Sequence, residues 1–246
     1  KAGEIILDRL PEPTGGAPDA EASGFSLPDL PVAINIGALT ADRIEISSEV
    51  LGQDATFSLD GAMQLEGGEG EVRLEAVRTD RANDAFTIAG SFANATEMLV
   101  LNLLLEEDAD GIVSNLLGLP GAPSLRLATE GEGPLNDFAA SLELATDGED
   151  RLAGTFTLTE IDAAQTFGAN RRGDIAPRFA PDYQAFFGND IALTLNGRSL
   201  PEGGTEIPEF TLNAAAIDLS GALVIGADGL PLAIDIDGLI AAPDGA

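Results

Sequence analysis

Strand-length runs in which apolar and polar residues alternate are the feature that most constrains this chain. In the run 56–66, Phe57 and Leu59 alternate with polar neighbours, and Val72 and Leu74 do so in the run 71–75. A period of two residues is that of a β-strand, whose side chains point alternately to the two faces of a sheet. Similar runs recur at 86–88, 125–127, 142–144, 156–158, 191–195, 210–212, 223–225 and 232–236. The pattern predicts an all-β fold whose strands have one apolar and one polar face.

The apolar face of such a sheet must be covered by something. Two segments without the alternation, 108–118 and 174–188, provide little cover for about a dozen strands. Either the sheet folds on itself as a sandwich or barrel, or it curls into an open trough whose apolar side contacts a ligand. The alternation alone leaves both arrangements open.

A short repeat, apolar-x-apolar-x-Gly, occurs within the alternating runs. It stands at 57–61, 86–90, 193–197, 217–221 and 234–238. Its glycine falls on the same face as the two apolar residues, where it would let neighbouring backbones approach closely at a crease in the sheet. The alternative is that these glycines end strands at hairpins.

The segments 108–118 and 174–188 have helical spacing. In the first, Ile112, Val113 and Leu116 are spaced as on a helix, and Gly118 follows them. In the second, prolines limit a helix to one or two turns. The second segment carries four aromatic residues at i, i+4, i+7 and i+8, namely Phe179, Tyr183, Phe186 and Phe187. We interpret this cluster as a cap over one mouth of the sheet, and a plug or docking element is the alternative.

The composition excludes several classes of function. Acidic residues outnumber basic ones 42 to 12, which disfavours nucleic acids and anionic membrane surfaces as partners. The chain has no His, no Cys and a single lysine, Lys1. Their absence removes Ser-His-Asp and Cys-His catalysis, His-ligated zinc, haem, iron–sulfur clusters and Schiff-base chemistry within this chain. We therefore expect no enzyme, no cofactor and no metal site.

The remaining charged clusters give weak signals. Asp235 and Asp237 alternate with isoleucines and so are expected on the polar face, while the acids at 147–150 are expected in a turn. The acidic run 106–111 lacks the ligand spacing of an EF-hand. The basic pair Arg171–Arg172 is interpreted as a solvated loop feature.

The ends of the chain suggest a larger parent. The sequence lacks an initiator Met, has no apolar run near the roughly 18 residues of a membrane span, and stops inside a repeating pattern at 235–240. We expect a piece of a longer protein. Its predicted organisation is an entry strand at 1–10, a flexible Pro/Gly/acidic loop at 11–24 and a single elongated segment at 25–246.

Five stretches carry a family resemblance. They are FSLPDLPVAINIGALTADRIEI at 25–46, SLDGAMQLEGGEGEVRLEAVRTD at 58–80, LLGLPG at 116–121, LATEGEGPLNDFAASLELATDGEDRLAGTFTL at 127–158 and PDYQAFFG at 181–188. The succession resembles the N-terminal periplasmic region of the TamB family, the inner-membrane components of the translocation and assembly module, within the AsmA-like group. The order of the stretches is more specific than any single motif.

That resemblance implies a long, curved, U-shaped β-sheet trough (a β-taco) with short capping helices at 108–118 and 174–188. It further implies a parent anchored in the inner membrane of a Gram-negative bacterium and spanning the periplasm. Such proteins act with the Omp85-type outer-membrane protein TamA, through regions that would lie outside this chain. Their work is phospholipid transport to the outer membrane and outer-membrane protein assembly, and they have no catalytic residues.

The function that we predict is a non-enzymatic segment of a lipid conduit that shields phospholipid acyl chains in an apolar groove. The alternative is an acidic β-sandwich scaffold or adhesin module with a closed core. The expected groove-lining residues are Phe57, Leu59, Leu65, Val72, Leu74, Phe86, Ile88, Leu142, Leu144, Phe156, Leu158, Leu193 and Leu195.

Overall fold

A computed structural model of the chain describes residues 2–7, 26–28, 32–161, 164–174, 181–201 and 203–241. The predicted loop at 11–24 lies outside the described residues. The strands are β1 (Ala2–Leu7), β2 (Ile34–Ile46), β3 (Ala55–Glu66), β4 (Glu69–Arg78), β5 (Ala85–Ala93), β6 (Met98–Glu107), β7 (Leu125–Pro134), β8 (Asp137–Thr146), β9 (Glu149–Ile161), β10 (Ala164–Gly173), β11 (Ile191–Ser199), β12 (Thr205–Ala214), β13 (Ile217–Ile225) and β14 (Pro231–Ile240). The helices are α1 (Ser48–Leu51), α2 (Ile112–Leu116) and α3 (Pro181–Phe187). The predicted all-β fold is confirmed.

The order of the strands in the sheet follows their order in the sequence. β1 pairs with β2 in parallel, and the ladders from β2 to β6 and from β9 to β14 are antiparallel. Short turns make this meander possible. Gly67 and Gly68, for example, join β3 to β4 with φ of 57° and 77°, a conformation that a side chain would strain.

The chain divides into two compact units. Unit 1 comprises residues 1–130 and 146–148, and unit 2 comprises residues 131–145 and 149–246. Unit 1 contains the ladders from β1 to β6, and unit 2 those from β9 to β14. The single elongated segment expected over 25–246 stays a prediction.

The described residues include few buried apolar side chains. Only eleven are buried, and five of these are alanines. Large strand residues such as Phe57, Phe86 and Phe156 are only partly buried. A sheet packed against a second layer buries most of its apolar face. The faces of these strands are therefore covered much less than the core of a sandwich.

The glycines of the apolar-x-apolar-x-Gly repeat lie inside strands and do not end them. A Cβ at Gly61 would lie 2.8 Å from the carbonyl oxygen of Arg73, and one at Gly221 would lie 2.1 Å from that of Asp235. Real Cβ atoms do not approach a neighbouring backbone so closely. The structure thus favours the interpretation that these glycines allow close backbone approach over the interpretation that they end hairpins.

The structure differs from the sequence-based expectations at α1 and at the pair Arg171–Arg172. α2 and α3 lie within the predicted segments 108–118 and 174–188, but α1 was not predicted, because its four residues carry no period that sequence can show. The pair Arg171–Arg172 lies within β10, so the prediction of a loop was wrong. Both arginines pair in register with residues of β9 and β11, and strand pairing decided the outcome.

Candidate functional site

One face of the unit 1 sheet is apolar across five strands. The register aligns Leu59 with Ala76 on β4, and Ala76 with Phe86 on β5. Two rows along, Leu74 of β4 lies opposite Ile88 of β5. Directly paired residues in an antiparallel ladder point to the same face. Seven of the expected groove residues therefore share one face, which we call the unit 1 face: Phe57, Leu59, Leu65, Val72, Leu74, Phe86 and Ile88.

The neighbouring strands β2 and β6 extend this face. From β6 it receives Leu99, Leu101, Leu103 and Leu105, which pair with the apolar positions of β5. Sequence reasoning missed these residues because the run 98–105 is almost continuously apolar and so does not show which side points inward. β2 contributes Ile34, Ile36, Leu39, Ala41, Ile44 and Ile46. There the alternation is broken by register shifts at 36–39 and 41–44, so only pairing reveals the face.

A cavity of about 440 Å³ occupies one end of the unit 1 face. Its lining is mostly apolar and comes from five strands, β2 to β6, and both helices of unit 1, with Ile44, Phe57, Leu59, Ala76, Phe86, Leu105, Leu51, Ile112 and Val113 among its residues. A volume of this size falls within the roughly 300–1,000 Å³ of small-molecule sites. A concavity of about 450 Å³ elsewhere in unit 1 has a mixed lining, in which Gln64, Glu66, Glu69 and Glu71 stand beside Phe92 and Met98. The two differ in chemistry and not in size.

Three charged residues border the apolar surface at the end of the unit 1 face where the cavity lies. We call Arg78, Asp84 and Glu107 the polar cluster. Arg78 lies opposite Phe57 in register, and all three side chains are almost fully buried, at 4%, 6% and 6% exposure. Buried charges are tolerated only when they are paired and hydrogen-bonded. The contacts of each member therefore decide what the cavity end presents to a ligand.

Arg78 is held by several acceptors. Its Nε donates to Oδ1 of Asp80 at 2.9 Å, Nη1 to Oδ2 of Asp84 at 3.4 Å, and Nη2 to the carbonyl oxygen of Asp54 at 3.1 Å. Burial acts to lower the pKa of Arg78, but the hydrogen bonds and charges of Asp80 and Asp84 together outweigh it and raise the pKa. Through its hydrogen bond, Arg78 lowers the pKa of Asp80. Arg78 thus stays charged and fully engaged.

Glu107 fixes α2 over the cavity. Its carboxylate accepts hydrogen bonds from the backbone N–H of Val113 at 2.9 Å and of Ser114 at 2.6 Å. These donors belong to the first turn of the helix and have no intrahelical acceptor. Gly111 allows the approach, since a Cβ there would lie 2.2 Å from the Glu107 carboxyl carbon. The side chains of Ile112 and Val113 are thereby placed in the cavity wall.

The opposite end of the unit 1 face is covered by a chain segment. The N–H of Leu27 donates to Oδ1 of Asn94, and Nδ2 of Asn94 donates back to the Leu27 carbonyl oxygen, both at 2.8 Å. The Leu27 side chain lies over Gly70, where a Cβ would be 2.7 Å from Leu27 Cδ1. The described part of unit 1 therefore presents an apolar face bounded at both ends.

Unit 2 also has an apolar face. Phe156 of β9 lies opposite Ala169 of β10, which lies opposite Leu195 of β11. The expected residues Phe156, Leu158, Leu193 and Leu195 share this surface, which we call the unit 2 face. The expected residues Leu142 and Leu144 lie in β8, where both are half-buried and stand on either side of the exposed Glu143.

The expected cap is described only in part. Phe179 lies outside the described residues, and Tyr183 lies in α3 with its side chain undescribed. The rings of Phe186 and Phe187 meet edge to face with centroids 5.3 Å apart. Their carbonyl oxygens accept hydrogen bonds from Ala216 and Ala215, each at 3.0 Å. α3 is thus attached to the β12–β13 turn of unit 2, and its role as cap or plug stays a prediction.

The structure groups no metal ligands among the described residues. Asp235 and Asp237 pair with Ala222 and Ser220 on the polar face of β13 and β14, as expected. Within the described ranges no helix is both long and apolar enough to cross a bilayer.

Comparison with known proteins gave no further identification: the chain matches no protein-family model, no curated protein and no solved structure. The resemblance to the TamB family rests on the sequence stretches alone.

Proposed function

We propose that this chain is a non-enzymatic segment of a lipid conduit and that its apolar faces shield phospholipid acyl chains. The observation that carries the proposal is the unit 1 face, which is apolar over five strands, only partly buried, and hollowed into a cavity of about 440 Å³. Each CH₂ group of an acyl chain that leaves water for such a surface contributes about 0.8 kcal/mol. No specific polar contact is required.

The charges around the cavity support an acyl chain as its occupant. Arg78 and Glu107 are already satisfied by protein partners, so neither needs a ligand group. Elsewhere the surface carries a large excess of acid, with a net charge of −30 for the chain. That excess keeps an object with half-buried apolar faces soluble.

The mechanism that we propose is passive. Tails slide along the apolar faces while headgroups stay at the solvent-exposed side, and direction is imposed from elsewhere. Together with the sequence resemblance, this leads us to propose a role in the periplasm, as part of an inner-membrane-anchored protein. The role is lipid transfer to the outer membrane and outer-membrane protein assembly with an Omp85-type partner, TamA, bound through regions outside this chain.

The test is lipid extraction from the purified chain, followed by mass spectrometry. We expect phospholipid to copurify with the wild type, and Leu59→Arg to remove the lipid that is bound on the unit 1 face, because a charge in the cavity is costly to desolvate. Ser58→Arg is the matched control, since it adds the same charge to the polar face of the same strand.

Two results would contradict the proposal. One is a wild-type chain that carries no phospholipid, which is the expectation for the alternative, a closed scaffold or adhesin module. The other is equal lipid loss in Leu59→Arg and Ser58→Arg with both variants folded by circular dichroism. The second result would mean that lipid binding does not depend on the unit 1 face.

A further inference from the structure

The unit 2 face contains an arginine, Arg171, whose contacts differ from those of every other described arginine. The structure describes the side chains of nine arginines. Eight of them have a carboxylate oxygen within 4.0 Å. Among the described residues, Arg171 has none. Its guanidinium donates from Nη1 to the carbonyl oxygen of Asn170 at 3.1 Å.

Strand register places Arg171 among apolar neighbours. It lies opposite Gly154 on β9 and opposite Leu193 on β11. The next pairs along the same face are Phe156–Ala169 and Ala169–Leu195. Arg171 therefore occupies the same surface as four of the residues expected to contact lipid.

Gly154 provides the space for this side chain. A Cβ at Gly154 would lie 2.0 Å from the carbonyl oxygen of Asn170, 2.7 Å from Cδ of Arg171 and 2.9 Å from its Nη1, so a larger residue would collide with the β10 backbone and with the Arg171 side chain. Arg171 is only partly exposed in this position. An apolar residue would cover the same surface without the cost of removing a charge from water. A guanidinium here is better explained by an anion that it meets than by packing.

The adjacent arginine shows the contrast. Arg172 points to the opposite face and holds Asp190 through two hydrogen bonds, Nε to Oδ1 at 2.7 Å and Nη2 to Oδ2 at 2.6 Å. The chain has 42 acidic residues, and yet none of those described neutralises Arg171. With a net charge of −30, most of the molecule repels an anion, so a guanidinium without a carboxylate partner is a favourable place for an anion to bind.

We propose that Arg171 binds the phosphate of a phospholipid whose acyl chains lie on the unit 2 face. The planar guanidinium matches phosphate oxygens through paired N–H donors. The apolar residues on both sides, Phe156 on β9 and Leu193 and Leu195 on β11, receive the tails. The proposal rests on the proposed function and adds a headgroup site to it. A lipid bound here would be selected by the charge of its headgroup as well as by its acyl chains.

The experiment places a photo-crosslinking p-benzoylphenylalanine at Leu195 of the purified chain, diagonal to Arg171. Labelled phosphatidylglycerol and a diacylglycerol with the same acyl chains are compared. We expect the wild-type background to crosslink both lipids, with phosphatidylglycerol favoured about tenfold, the scale of one charge-assisted hydrogen bond. Arg171→Met should remove that preference and leave diacylglycerol unchanged, and Arg171→Lys should keep part of it.

Arg172→Met is the control, because it removes the same charge from the same strand but from the opposite face. Equal crosslinking of both lipids in every background would overturn the headgroup site and leave the proposed function standing. If neither lipid reaches Leu195 in the wild type, while Leu59→Arg still removes copurified lipid, the site on unit 2 is wrong. If no lipid binds the chain at all, the proposed function fails with it.

Two competitors identify the ligand chemistry. Glycerol 3-phosphate, which has the phosphate without tails, should displace phosphatidylglycerol only weakly. Oleate, which has a tail with a carboxylate, should compete less well than phosphatidylglycerol itself. If glycerol 3-phosphate displaced the labelled lipid as effectively as phosphatidylglycerol does, the site would be a simple anion site. If oleate did so, the assignment of the ligand group as phosphate would be wrong.

Discussion

At the scale of single residues, the charges at the cavity end of the unit 1 face are compensated by hydrogen-bond partners within the protein. Arg78 is 4% exposed and has acceptors from Asp54, Asp80 and Asp84. Asp84 in turn accepts from the backbone N–H of Asp108 at 2.8 Å. Breaking one partner of such a network costs more than the network contributes as a whole, because the remaining charge stays buried. The polar cluster is therefore a sensitive part of unit 1.

Asp80 makes this sensitivity measurable as a pH dependence. Because the hydrogen bond from Arg78 lowers the pKa of folded Asp80, its ionised form stabilises the fold above the ordinary value of about 3.9. That contribution is lost as the pH falls through the lowered pKa. We expect Asp80→Asn to lower the free energy of unfolding by about 1 kcal/mol or less at pH 6, since Asp80 is partly exposed. The difference from wild type should shrink as the pH falls towards 2.

Urea unfolding at a series of pH values checks this prediction. The difference between wild type and variant is the quantity to follow, because many other carboxylates titrate in the same range. Asp60→Asn, an exposed position on β3, serves as the control. A difference that is the same at pH 2 and pH 6 would show that ionisation of Asp80 does not stabilise the fold.

At the scale of elements, α2 depends on a residue from the strand before it. The helix has five residues, too few to be stable by itself, and Gly111 at its N-cap makes no side-chain cap. Glu107, at the end of β6, supplies the missing acceptors from outside the helix. The position of Ile112 and Val113 in the cavity wall thus depends on one carboxylate.

We expect Glu107→Ala to release α2, because it leaves two backbone N–H groups without acceptors. The loss of local stability should be about 2 kcal/mol. Amide hydrogen exchange of the peptide that covers 112–116 measures it, with exchange expected to be faster while the β3–β4 peptide is unchanged. Glu106→Ala is the control, since Glu106 is the neighbouring residue on the polar face, 3.5 Å from Arg126. Equal protection in both variants would contradict the role of Glu107.

At the scale of the whole molecule, the excess of 42 acidic over 12 basic residues opposes folding through self-repulsion. Salt shortens the range of this repulsion from roughly 30 Å at 0.01 M to about 8 Å at 0.15 M. We therefore expect the thermal midpoint to rise with sodium chloride over this range, as measured by circular dichroism. Potassium chloride should give the same rise. A midpoint that stays constant or falls would mean that the ion pairs outweigh the repulsion.

The sequence by itself determined the fold class and the faces of individual strands. Side-chain direction in a strand depends only on whether a position is odd or even, so Phe57 and Leu59 could be assigned to one face without knowing any partner. The same local logic located α2 and α3, whose helical spacing and flanking Gly or Pro residues lie within the segments themselves.

Only the tertiary structure decided which residues of different strands come together on those faces. The polar cluster joins residues from β4, β6 and the β4–β5 connection, and the cavity is formed by residues from 44 to 113. In β2, register shifts break the alternation, and in β6 the apolar run is almost continuous, so the sequence does not show which residues of these strands point to the unit 1 face. Pairing with β9 and β11 places Arg171 on the unit 2 face. Alternation is a property of neighbours in the chain, whereas register and the burial of charge depend on contacts between distant segments.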